Sequence, residues 1–258
     1  MRTFVLAGQS NMVGRAYEQD LPEELRAPFP AVRFFYDVDY AADRNQMPPS
    51  QSGGWVDLQP QPKRPSGQGP HFGPELMFGR CLADARPEES FGIIKAAYGG
   101  THLAEQWNPD ARDGLRLYAR MLEVVAQAKQ AEPSAEIVGF AWLQGESDAS
   151  DPSRAAAYRA NFQHLIARLR QDLQCPDLPV VILEFARNVE ADAEQRKRED
   201  DIVRDLGKLA QADANIQLIR TDDLAMGDRI HWNTEGQLEA GRRLAEVMSK
   251  VQQGLRPC

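Results

Sequence analysis

The sequence predicts an α/β fold, a three-layer α/β/α sandwich around a mainly parallel sheet. Three observations predict it. Short apolar runs alternate along the chain with longer amphipathic ones. The short runs are continuously apolar, as strands are when both faces of a parallel sheet are covered. The 258 residues, 42% of them hydrophobic, suffice for one large domain with a sizeable core, expected to span residues 1–258.

The predicted strands are residues 3–7 (TFVLA), 32–38 (VRFFYDV), 92–97 (GIIKAA), 137–143 (IVGFAWL), 179–186 (PVVILEFA) and 216–220 (IQLIR). The helix patterns lie between and after them. Pro74, with Glu75 beside it, suits the first turn of "PELMFGRCLADA". In "GLRLYARMLEVVAQAKQA", Leu115, Tyr118, Met121, Leu122 and Val125 share one face. Asp151 is an N-cap followed by Pro152 at the first helical position, and Tyr158, Phe162, Leu165, Ile166 and Leu169 form that helix's apolar face. Residues 193–212 are heavily charged, with Ile202, Val203, Leu206 and Leu209 as the stripe to be buried. Thr234 opens the last helix, where Thr-Glu-Gly-Gln reads as a capping box ahead of Leu238, Leu244, Met248 and Val251. Right-handed crossovers between such units stack helices on both sheet faces. Residues 39–72, rich in Pro, Gly and Gln, carry Trp55 and His71 with little periodicity. A loop that long is either functional or a surface insertion.

A net charge of −8 repels nucleic acid and anionic membranes, so neither is expected as a partner, while neutral substrates fit. Cys81, Cys175 and Cys258 are far apart and odd in number, without metal-ligand spacing or a disulfide framework, which fits a reducing compartment. The opening "MRTFVLAG" has one charge and a short apolar run needed for the first strand, and no run is long enough to span a bilayer. The expected location is cytoplasmic.

Ligands of open parallel sheets bind outside the carboxyl ends of the strands. Four unusual segments fall there: Gly8-Gln9-Ser10-Asn11, Tyr98-Gly99-Gly100-Thr101-His102, Gln144-Gly145-Glu146-Ser147-Asp148, and Asp228 with His231 ahead of the last helix. A carboxylate three residues before an imidazole can fix its tautomer and leave the other ring nitrogen as a base. Serine needs such a base to act as a nucleophile, and Ser10 sits where a strand gives way to a helix whose N–H groups can face an oxyanion. Each feature alone has a plainer reading. Asp-x-x-His is also a surface or capping pair, and Ser10 could simply be an N-cap. His71 and His102 read as rim or structural residues, and His164 as exposed. Trp107 and Trp232 could stack on a sugar or pack in the core. Glu146 and Asp148 could be paired acids for glycoside hydrolysis or structural hydrogen-bond partners. No third His or Cys supports a metal site. A G-x-S-x-G elbow, a Walker A loop and a dinucleotide fingerprint are all missing.

Taken together, GQSNM at 8–12, GPELMFG at 73–79, KAAYGGT at 95–101, WLQGESD at 142–148 and DRIH at 228–231 resemble the SGNH-hydrolase superfamily. More narrowly, they are similar to carbohydrate esterase family 6 and sialate O-acetylesterase-type domains. The resemblance implies a flavodoxin-like sandwich and a cofactor-free serine esterase removing acyl groups, foremost O-acetyl, from a small-molecule or polysaccharide ester. It implies Ser10 as nucleophile, His231 as general base and acid, and Asp228 as its orienting partner. The N–H groups of Ser10 and Gly100 and the amide of Gln144 would form the oxyanion hole. Gln144 stands where the broader superfamily has asparagine. Gln9, Asn11, Thr101, Glu146, Asp148 and Trp232 are expected to line or support the substrate site. Alternatives with the same residues are a short-chain aryl or lipid esterase, a thioesterase, or a non-catalytic carbohydrate-binding module.

Overall fold

The computed structural model describes residues 1–39, 49–62 and 69–252, with residue 252 by its backbone only. In chain order the elements are β1 (Arg2–Gly8), α1 (Ser10–Val13), β2 (Ala16–Tyr17), α2 (Glu23–Arg26), β3 (Phe29–Asp39), β4 (Ser50–Gln51), β5 (Val56–Leu58), β6 (His71–Phe72) and α3 (Glu75–Ala85). They continue with β7 (Phe91–Tyr98), α4 (Leu117–Ala131), β8 (Glu136–Leu143), α5 (Glu146–Ala149), α6 (Pro152–Asp172), β9 (Val180–Leu183), α7 (Ala193–Ala212), β10 (Ile216–Ile219) and α8 (Thr234–Gln252).

Six strands run parallel in the order β10-β9-β8-β1-β7-β3, and the short β4 and β5 pair antiparallel with β3 at one edge. The expected sandwich with its mainly parallel sheet is present. β1 lies at its centre, flanked by β7 and β8, with both pairings running to Gly8. The sheet is covered on both sides, by α3 and α8 packed together on one face and by α4, α6 and α7 on the other. Every residue of β7 and β9 is buried, the burial that the continuous apolar runs anticipate. Under α6, Trp142 meets Trp107, Phe140 and Phe162 at ring distances of 5.1–6.2 Å.

Asp151 caps α6 through Oδ1, which accepts the N–H groups of Ser153 and Arg154 at 2.9 Å, with Pro152 following. The α7 stripe of Ile202, Val203, Leu206 and Leu209 is buried. Several expectations are corrected. Pro74 precedes α3 as its flanking residue and is not in its first turn. α4 begins at Leu117 because Arg116 adopts φ 41°, so Leu115 stays outside the helix and 38% exposed. The cap of α8 is Asn233, whose Oδ1 accepts Gly236 N–H at 3.0 Å, one residue before the Thr234 box. β9 stops at Leu183, three residues short of the apolar run. Within 39–72, residues 50–51 and 56–58 return to the β3 edge, and Trp55 Nε1 donates to the Ala128 carbonyl at 2.9 Å, which fastens this part of the insertion to α4. Residues 40–48 and 63–68 of that stretch lie outside the described residues. Cys81 is free, and Cys258 lies outside the described residues. Among the described residues no helix is long and apolar enough to cross a membrane.

Candidate active site

The four rim segments are tied together by side-chain bonds across the carboxyl ends of β1, β7 and β8. β1 ends at Gly8, where any Cβ would overlap the Leu143 carbonyl, so only glycine lets β1 and β8 close at this point. Gln9 N–H then donates to Leu143 O at 2.9 Å, and the chain turns straight into α1. That one-turn helix starts at Ser10, which keeps 9% of its surface and so remains reachable. Met12 and Val13 N–H both donate to Gln9 O at 2.8 Å, which closes the turn behind Ser10.

The partner of Ser10 comes from 221 residues further along the chain: Ser10 Oγ lies 3.0 Å from His231 Nε2. His231 Nδ1 in turn lies 2.7 Å from Asp228 Oδ2. The 226–232 turn that makes this possible is closed by an antiparallel bridge between Met226 and Trp232 and by Gly227 N–H donating to His231 O at 2.8 Å. Asp228 divides its labour. Oδ1 accepts the N–H groups of Ile230 and His231 at 2.9 and 2.8 Å, which leaves Oδ2 for the imidazole. Because the carboxylate can only accept, Nδ1 carries the proton and Nε2 presents a lone pair to the serine hydroxyl.

The electrostatics keep the ring neutral. Burial lowers the His231 pKa, the Asp228 hydrogen bond and charge raise it, and Arg15 and Arg229 lower it again, with a net fall below the ordinary histidine value. Burial raises the Asp228 carboxyl, yet the two backbone N–H groups and the imidazole outweigh it, so its pKa is lowered. A hydroxyl, a neutral imidazole and an ionised carboxylate in one chain can transfer a proton from serine to nitrogen as the oxygen attacks an electrophile.

Asn11 clamps this geometry. Its Nδ2 donates to Ile230 O at 2.9 Å and to Glu146 Oε1 at 3.0 Å, and its Oδ1 accepts Trp232 N–H at 3.1 Å. The turn bearing Ser10 and the turn bearing His231 are thereby held by one fully buried amide. Asn11 supports the site and does not line it.

Gln144 is placed differently from its expected role. Its Nε2 lies 2.6 Å from Asp148 Oδ2, 2.9 Å from Thr101 O and 3.2 Å from Gln9 Oε1, and the residue is fully buried. Two amide hydrogens facing three acceptors leave none for a substrate oxyanion. Gln144 instead fixes Gln9, whose Oε1 also lies 3.4 Å from Ser147 N–H. Asp148 is structural: its oxygens accept Leu103 N–H at 2.8 Å, Ala104 N–H at 3.2 Å and the Gln144 amide, and burial raises its pKa. Thr101 is buried and donates to Tyr98 O at 2.7 Å while accepting Trp107 Nε1–H at 3.0 Å. Trp107 and Trp232 are both buried, so neither offers a face to a sugar, and the stacking reading is corrected in favour of packing. Gly100 is exposed at φ 63°, and segment 99–101 joins the nucleophile turn through the shared contact with Gln144. Of the other histidines, His71 is buried in β6, His102 lies 3.3 Å from Arg154 at the rim, and His164 pairs with Asp110 at 2.8 Å on the surface. A cavity of about 880 Å³ beside the start of α8 includes none of the Ser10, Asp228 and His231 group, and its arginines are already bonded to Asp223 and Glu239.

Sequence reasoning missed one property of the rim. Glu146 has a carboxyl oxygen, Oε2, sealed from solvent without a partner, and burial pushes its pKa up to about 7. The signal available was an acid directly after Gly145, in the turn that follows β8.

Comparison with known proteins places the chain in a family. The family described as carbohydrate esterase, sialic acid-specific acetylesterase, matches residues 1–250. A protein of Arabidopsis thaliana named as a probable carbohydrate esterase is 27% identical over 95% of this chain and 88% of its own. A 1.6 Å X-ray structure of an Arabidopsis thaliana protein superposes with a TM-score of 0.74 at 23% identity, covering 96% of this chain and 98% of that one. A carbohydrate acetylesterase from Xanthomonas citri superposes with a TM-score of 0.69 at 18% identity, covering 98% of this chain and 57% of that one. A match over residues 1–250 places this chain within the carbohydrate esterase, sialic acid-specific acetylesterase family, and the chain is a carboxylic ester hydrolase.

Proposed function

We propose that this protein removes O-acetyl groups from a carbohydrate by a Ser10-His231-Asp228 mechanism. The observation that carries the reading is the bonded series from Ser10 Oγ through His231 to Asp228, at 3.0 and 2.7 Å, on the rim of a sheet of this family. Ser10 Oγ attacks the acetyl carbonyl carbon as His231 Nε2 takes its proton, and the carbonyl π pair moves onto oxygen. The Ser10 and Gly100 N–H groups are the donors for that oxyanion. The tetrahedral adduct collapses, the sugar alkoxide leaves with the proton from imidazolium, and acetyl-Ser10 remains. Water, deprotonated by His231, then attacks the ester, and acetate departs as Ser10 regains its proton. Asp228 stabilises the imidazolium in both halves.

An acetylated sugar as substrate is supported by the family description, by the name of the Arabidopsis relative and by the carbohydrate acetylesterase of Xanthomonas citri that shares the fold. The test is hydrolysis of acetylated sialic acid, acetylated xylan and p-nitrophenyl esters of rising chain length by the wild type and by Ser10→Ala. The expected outcome is preference for acetyl over longer acyl groups and a loss of about 10⁶-fold in kcat for the variant. Wild-type rates from Ser10→Ala would refute the nucleophile, and a preference for long-chain esters would refute the acetyl-sugar reading.

A further inference from the structure

Two of the sequence motifs, GPELMFG and KAAYGGT, supply residues that take no part in the proton relay and yet meet beneath it. Lys95, in the middle of β7, pairs in register with Leu6 of β1, four residues before Ser10. Its side chain is fully buried, and Nζ donates to the Val13 carbonyl at 2.8 Å and to Glu75 Oε2 at 2.7 Å. Val13 is the last residue of α1, the single turn that Ser10 begins. Glu75, also fully buried, uses Oε1 to accept Gln61 Nε2–H at 2.8 Å and Gly73 N–H at 2.9 Å. Gly73 and Gly14 bring two backbones into close approach. A Cβ on Gly14 would overlap the Phe72–Gly73 peptide, and one on Gly73 would stand 2.9 Å from Met12 O and from Glu75 Oε2.

We infer that Lys95 and Glu75 form a buried clamp that holds the carboxyl end of α1, making Lys95 a positioning residue for the Ser10 hydroxyl. The inference rests on the reading of Ser10 as nucleophile. Replacing a buried ion pair by neutral groups of similar size is often neutral or favourable for stability, so stability alone does not require a salt bridge at this place. The pair does bind three backbone groups around one turn: Val13 O, Gly73 N–H and, through Gln61, the His71 carbonyl at 3.4 Å. An ammonium at the carboxyl end of a helical turn also complements the partial negative charge there. Its reach fixes Val13, hence the whole turn, relative to the β1 strand whose end carries the hydroxyl.

The test is the full-length double variant Lys95→Met/Glu75→Gln, which removes both charges together and leaves neither unpaired. It is assayed with p-nitrophenyl acetate beside wild type and Ser10→Ala, with melting followed by circular dichroism. The expected result is a melting temperature within a few degrees of wild type, KM within about twofold, and kcat lowered about 10- to 100-fold, the scale of a misplacement near 1 Å. The second-order rate of labelling by a fluorophosphonate falls by the same factor, because it depends on the same hydroxyl. A folded double variant with wild-type kcat and labelling rate overturns the inference. If the double variant does not fold, Gly73→Ala decides: it adds one methyl group against Met12 O and changes no charge, so lowered kcat at unchanged KM supports the clamp and unchanged kcat overturns it. Activity retained in Ser10→Ala marks failure of the nucleophile reading itself, separately from the clamp.

Discussion

Glu146→Gln isolates the effect of burying an acid beside the Asn11 clamp. In the folded protein burial pushes this carboxyl from 4.5 to about 7, helped slightly by the charge of Glu199 and opposed by backbone N–H groups and the Asn11 amide. At about 1.4 kcal/mol per pH unit, that shift corresponds to at most about 3 kcal/mol. The sign follows from proton binding. Between about pH 4.5 and 7 the folded protein holds a proton that the unfolded chain has released, so stability contributed by this group falls as pH rises through that window and is fully lost above it. Glutamine mimics the protonated acid at every pH and still accepts the Asn11 bond through its oxygen. The variant and wild type should therefore melt together near pH 4.5 and separate progressively, with the variant ahead by up to about 6 °C at pH 8, at about 2 °C per kcal/mol for a chain of this size. Differential scanning calorimetry from pH 4.5 to 8.5 measures the gap. A constant gap across that range, or a variant that falls behind as pH rises, would refute the claim that a proton is retained at Glu146.

Three further outcomes are expected. In the wild type, kcat/KM for p-nitrophenyl acetate rises with pH as His231 loses its proton, with a midpoint below the ordinary histidine value because burial and two arginines lower it; a midpoint above that value contradicts the assignment. Asp228→Asn removes the one neighbour that raises His231, so the acid limb moves to still lower pH while kcat drops by about 10⁴-fold through loss of the tautomer lock, and unchanged stopped-flow rates would count against it. Asn11→Ala leaves Ile230 O and Trp232 N–H without their partner, at about 1–3 kcal/mol each, so urea unfolding shifts by about 2–6 kcal/mol with a parallel fall in kcat; an unchanged midpoint would mean the two turns hold each other without the amide.

The central strands were legible because strands covered on both faces are apolar throughout, and TFVLA, GIIKAA and IVGFAWL have few other readings. The pairing of β4 and β5 was not, since strands of two and three residues take their place from the β3 edge they meet. Leu115 continues the apolar period of α4, but the left-handed Arg116 breaks the helix behind it, and periodicity does not register a single dihedral. At the site, the clustering of residue types at strand ends was legible, while side-chain direction was not. Trp232 sits next to His231 yet turns into the core under α8, and the amide of Gln144 reaches acceptors from three separate segments. Pairing of Lys95 with Glu75 was equally hidden, because each motif by itself presents only one charge.

The contact between Ser10 and His231 spans 221 positions. Synthesis runs from the amino end, so the Ser10 hydroxyl is made 221 residues before the imidazole it meets in the fold. Under the proposed relay, a fragment ending before residue 231 lacks the base that Ser10 needs, and ester hydrolysis requires the carboxyl-terminal turn.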